Sequence, residues 1–215
     1  MSRAFALAVV LNVAFTVIEA AFGFISGSMA LVADAGHNLS DVLALLLAWG
    51  ASILSNRPPS ERYTYGLKSS SILAAIGNAA LLWIALGAIL VETIRRFFEP
   101  SPVEGVTMMV VAGIGILINS FSAFLFARGS KSDLNLRAAF MHLMADAAVS
   151  AGVVIAGVLV FFTGFMLIDP ITSLIITLVI GWSSWGLLKD SLRMGMLAAP
   201  DAIDVAEVRA FLASQ

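Results

Sequence analysis

Cysteine is absent from this 215-residue chain, and histidine occurs only twice. Without thiols there can be no disulfides and no thiolate metal sites, which leaves imidazole and carboxylate as the strong metal ligands available. Charge is also scarce: Asp, Glu, Lys and Arg make up 12% of the residues and hydrophobic types 60%, whereas about a quarter of a soluble domain is charged. The mean hydropathy of +0.99 points the same way. A net charge of −2 gives no case for nucleic acid or another polyanionic partner. The chain reads as a membrane protein whose solvent is the lipid bilayer.

Six apolar runs, each near the ~20 residues that cross a ~30 Å hydrocarbon core, lie at about 5–26, 30–54, 70–92, 103–127, 138–163 and 169–188. Gly27-Ser28, the stretch from Asn56 to Arg62, Arg95-Arg96 through Pro102, Arg128 through Lys131, and Thr163-Gly164 separate them. The runs are too evenly apolar for the alternation of a membrane β-barrel. The expected fold class is therefore an all-α membrane protein, a six-transmembrane-helix bundle. No small-x-small cleavage pattern follows the first run, so it is expected to remain as the first helix. Arg3, Arg57, Arg62, Lys68, Arg128, Lys131, Arg137, Lys189, Arg193 and Arg209 fall on one side and only Arg95 and Arg96 on the other. The positive-inside rule then makes the N and C termini cytoplasmic. Beyond Pro200, charged and apolar residues interleave with helical rhythm, so 200–215 reads as the start of a truncated or absent cytosolic C-terminal domain following a transmembrane domain at 1–199.

Both histidines belong to the same pattern, His-x-x-x-Asp: His37 with Asp41 on the second run and His142 with Asp146 on the fifth. A spacing of four puts imidazole and carboxylate on one helix face. Near the centre of a membrane helix each aspartate costs roughly 2.5–3.5 kcal/mol unless compensated. A shared cation would compensate both and engage the imidazoles as well. Two histidines and two aspartates suit tetrahedral Zn2+, with Co2+ and Cd2+ also compatible, while Mg2+ and Ca2+ prefer six or more oxygens. Four protein ligands leave no open position for a hydrolytic water, and HExxH is absent. Transport therefore fits better than an intramembrane zinc hydrolase or a membrane protein held together by a structural zinc.

Other polar residues in the runs compete for roles. Asp34, on the same face as His37 and Asp41, could support the ligands or relay a cation outward, and Glu19, deep in the first helix, is a second such candidate. Asn38 and Ser40 are taken as packing residues, and Asn78 and Asn119 as interhelical hydrogen-bond partners. Asp169-Pro170 matches a helix N-cap with Pro in the first turn and is assigned to helix initiation. Gly23-x-x-x-Gly27 would permit close helix contact.

The runs SGSMALVADAGHNLSDVLALLLAW, ERYTYGLKSSSILAAIGNA, HLMADAAVSAGVVIAG and DPITSLIITLVIG resemble the cation diffusion facilitator family across essentially the whole chain. That resemblance implies a non-enzymatic homodimer of six-helix subunits that exports Zn2+ in exchange for H+. It gives His37, Asp41, His142 and Asp146 the transport-site roles, and a His at position 37 is similar to the zinc-selective members. The expected location is a cell membrane, most naturally a bacterial inner membrane. Family members usually continue into a cytosolic ferredoxin-like domain, and some carry histidines in the loops after the second or fourth helix, where this chain has none.

Overall fold

A computed structural model describes residues 3–127, 134–199 and 203–214. Among these residues the chain forms helices α1 (Arg3–Ser26), α2 (Met29–Ser55), α3 (Ser70–Phe98), α4 (Gly105–Ala127), α5 (Leu134–Thr163), α6 (Ile168–Gly195) and α7 (Val205–Ala213), with no strand. The first six are long and apolar enough to span a bilayer. The chain is a multi-pass membrane protein. Arg128, Lys131 and Pro200, which entered the orientation and domain expectations, lie outside the described residues, as does the Arg3 side chain.

The bundle is organised around α2, which packs against α1, α3, α5 and α6. Phe15, Leu31, Met108, Val153 and Ile176 bring α1, α2, α4, α5 and α6 into one buried core. Its outer surface is the reverse of a soluble protein's, with Phe24, Leu73, Leu117, Phe124 and Trp182 all exposed. In hydrocarbon these side chains lose nothing, whereas every backbone polar group must be satisfied inside a helix.

The helix ends differ from the hydropathy reading in an informative way. Helix α3 runs to Phe98 instead of stopping near 92, because Glu92 pairs with Arg95 at 2.9 Å and with Arg96 at 3.2 Å along the same helix. Such pairs three and four residues apart support a further turn after the apolar run has ended. Helices α5 and α6 likewise extend beyond the expected 138–163 and 169–188. Helix α7 starts on Asp204, whose carboxylate accepts from the Ala206 backbone at 2.8 Å, and it is exposed throughout.

Glycine sets two close approaches. Gly23 lies against Leu31 and Val32 of α2, but Gly27 adopts φ +68° and makes the turn into Ser28, so the Gly23-x-x-x-Gly27 spacing divides between a helix contact and a turn. Between α4 and α5 the tight point is Gly105 against Gly157. A methyl group on Gly105 would sit 2.8 Å from the Gly157 carbonyl oxygen and 2.9 Å from the Phe161 nitrogen. Backbone cannot yield as a flexible side chain does, so Gly105→Ala should cost about 1–3 kcal/mol. A lowered thermal unfolding midpoint in detergent is the expected result; an unchanged midpoint would mean that α4 can move off α5 freely.

Candidate metal centre

Ser28 initiates α2: its hydroxyl accepts from the Leu31 backbone at 3.2 Å, and the helix then carries His37 and Asp41 one turn apart. Helix α5 carries His142 and Asp146 with the same spacing. The two pairs meet. His142 Nε2 lies 3.0 Å from Asp41 Oδ2, a contact joining residues 101 apart in the chain. His37 Nε2 lies 3.6 Å from Asp41 Oδ2 and 3.7 Å from Asp146 Oδ1, and His142 Nε2 lies 3.5 Å from Asp146 Oδ2.

These separations suit a metal. Around a tetrahedral zinc with bonds of about 2.0–2.2 Å, neighbouring ligand atoms stand roughly 3.3 Å apart. The four N···O distances of 3.0–3.7 Å straddle that value. One donor atom each from His37, His142 and Asp146 falls within 4.8 Å of the other two, and Asp41 joins through its contacts with both imidazoles.

Exposure falls across the cluster. The side chains of His142 and Asp41 are 46% and 38% exposed, those of His37 and Asp146 only 16% and 7%. The exposed pair borders a cavity of about 480 Å³, lined also by Asn12 and Thr16 of α1, Leu45 of α2 and Phe126 of α4. Its walls come from the first half of α1, the middle of α2, the end of α4 and the start of α5, so it lies towards the end of the bundle that carries the loop at 56–69.

Asp34 and Glu19 sit at the opposite side of the cluster, both fully buried. Ser150, one turn beyond Asp146, donates to Asp34 Oδ2 at 3.0 Å. Asn38 donates to Glu19 Oε2 at 3.1 Å. Asn38 is therefore not the packing residue expected from its position beside His37, because its amide reaches across to α1 instead of staying within its own helix. Asn119 also departs from expectation: it is buried, yet neither side-chain atom has a hydrogen-bond partner among the described residues, and Asn78 Oδ1 has none either. Asn12 makes the interhelical bond instead, to Ser122 of α4 at 3.1 Å.

Residues 5–194 match the family described as the cation efflux transmembrane domain. The chain belongs to the cation diffusion facilitator, or cation efflux, family. This cation efflux chain is 43% identical over 196 residues to the zinc transporter ZitB of Escherichia coli (strain K12), covering 91% of itself and 63% of that protein. It is 38% identical over 209 residues to the ZitB of Yersinia pestis, covering 97% of itself and 67% of that protein. With the cadmium, cobalt and zinc/H(+)-K(+) antiporter of Bacillus subtilis (strain 168) it shares 35% identity over 196 residues, or 90% of itself and 63% of that protein. The chain thus spans just under two thirds of the length of several of these relatives.

One residue of the cation efflux domain has a different task from the one its local sequence suggests. Asp169 lies inside the first turn of α6, whose N-cap is Leu167, and does not cap its own helix. Its carboxylate crosses to the start of α2, accepting from Ser28 Oγ at 2.6 Å, Met29 N at 2.8 Å and Ala30 N at 3.2 Å. Arg96 of α3 stands 3.9 Å away and donates to the Gly27 carbonyl. The helix that carries His37 and Asp41 is thereby pinned to α6 and α3 at its first turn.

Proposed function

We propose that this domain moves Zn2+ out of the cytoplasm in exchange for H+, with His37, Asp41, His142 and Asp146 as the transport ligands and no covalent catalysis. The observation that carries the proposal is the meeting of the two His-x-x-x-Asp pairs, from helices far apart in sequence, at the inner end of a cavity. Zinc is the cargo named for the ZitB relatives, and cadmium and cobalt are named beside zinc for the Bacillus subtilis protein. The His2Asp2 donor set admits all three ions.

Ligand chemistry couples metal to proton. Zinc binds neutral imidazole and ionised carboxylate, so loading expels protons, and protons arriving from the other side promote release. Two features favour cargo over a structural staple. The cluster opens to a cavity, and His37 Nδ1 has no hydrogen-bond partner among the described residues, whereas a permanently held metal site fixes its histidines through the second ring nitrogen.

The Lys and Arg excess around the 56–69 loop supports a cavity mouth, and termini, at the cytoplasmic face. The arrangement is then the inward-open state of an alternating-access cycle in which the helices bearing the pairs rock to expose the cluster outward. Dimerisation, in a bacterial inner membrane, is proposed from the family resemblance.

Zinc uptake into proteoliposomes should be driven by an opposing proton gradient and should acidify the compartment that zinc leaves behind. Zinc movement indifferent to that gradient would refute antiport.

A further inference from the structure

Two carboxylates within the bundle are not used by the four-ligand cluster. Glu19 of α1 and Asp34 of α2 are fully buried and lie within interaction distance of each other. Each has one oxygen engaged, Glu19 Oε2 by Asn38 and Asp34 Oδ2 by Ser150. The other oxygens, Glu19 Oε1 and Asp34 Oδ1, have no hydrogen-bond donor among the described residues. No Lys or Arg forms an ion pair with either residue among the described residues. A buried carboxylate is ordinarily paired or ligates a cation, and two side by side repel each other in a low dielectric.

Their placement is ordered with respect to the cluster. Asp34 precedes His37 by three residues, about 4.5 Å of helix rise, and shares its face with His37 and Asp41. Ser150 follows Asp146 by four residues and shares its face. Glu19 lies in the half of α1 that leads to Ser26. All three are displaced about one turn from the cluster, away from the cavity and towards the turn at 27–28 and the α5–α6 connection at 164–167.

We propose that Glu19, Asp34 and Ser150, with Asn38 holding Glu19, form a second divalent-cation subsite, one turn beyond the His2Asp2 cluster on the route to the opposite face. It rests on the transport function proposed for that cluster. A divalent cation neutralises both carboxylates at once, which one shared proton cannot do. Its donors are all oxygen, a set that holds Zn2+ less firmly than mixed imidazole and carboxylate. A weak site following a tight one lets an ion leave the cluster without entering hydrocarbon and without being trapped again.

Zinc titration of the purified chain should reveal two classes of site, the second at least about tenfold weaker, the lower end of what supporting residues contribute to metal affinity. In the near-isosteric double variant Glu19→Gln/Asp34→Asn the weaker class should vanish while the tight one stays within about threefold, a small change on that scale. His142→Ala should do the reverse, losing the tight class and keeping the weaker one. A wild type with one class, or a double variant retaining both, overturns the subsite; a His142→Ala variant retaining both overturns the cluster instead. Anomalous diffraction from Cd2+-loaded wild-type crystals checks the same point without a variant. A second cadmium peak between Glu19 and Asp34 is expected, and a single peak at the cluster would overturn the proposal.

Discussion

Replacing His142 with alanine should weaken zinc binding by more than about 100-fold, because even residues that merely orient a metal ligand contribute 10–100-fold. The substitution removes the imidazole that lies nearer to both carboxylates, at 3.0 Å from Asp41 and 3.5 Å from Asp146. The fold should be preserved. His142 lies on the cavity wall and is nearly half exposed, so its loss empties no packed core. Calorimetric titration, with circular dichroism as the control, separates the two effects. Tight binding retained in a folded variant would remove His142 from the ligand set, and the proposed cargo site with it.

The same residue shows how much the sequence could reveal. Spacing alone placed His37 with Asp41 and His142 with Asp146 on helix faces, because a period of 3.6 is a local property. Six spans were equally legible, since hydrocarbon thickness imposes a run length that composition reports directly. Contacts between helices were not legible. Asn38 and Ser40 are both polar neighbours of the ligands, and nothing in the local pattern says that Asn38 reaches Glu19 while Ser40 finds no partner among the described residues. Ser150 did carry a signal, as it continues the His142–Asp146 face by one more turn, and that turn is where it meets Asp34. Helix ends were blurred for another reason. Hydropathy marks the part of a helix that lipid must accept, whereas α3 continues to Phe98 on the strength of ion pairs outside that part.

Asp169→Ala should be among the most destabilising single substitutions in the chain, at about 3–5 kcal/mol, the range for removing one partner of a buried charged network. The carboxylate is fully buried and accepts three hydrogen bonds at the first turn of α2. Bonds to a charged acceptor contribute roughly 1.5–3 kcal/mol each, and the positive end of the helix dipole adds to them. Alanine would leave Ser28 Oγ and the Met29 and Ala30 amides without an acceptor in a buried place, and would strip Arg96 of its nearest buried counter-charge. Asp-Pro at the head of a helix ordinarily signals a cap on that same helix. If that were its only task here, the loss should not exceed about 2 kcal/mol, the upper end for an N-cap. Asp169→Asn discriminates further: it keeps one acceptor but presents an amide N–H where an oxygen now accepts, so it should fall between wild type and alanine. Thermal unfolding midpoints in detergent should rank wild type, asparagine and alanine in that order. Zinc affinity of the folded fraction should fall along the same series, because α2 carries His37 and Asp41 from an anchor only eight residues before His37, roughly 12 Å along the helix. An alanine variant as stable as wild type would show instead that α2 holds its position without the link to α6.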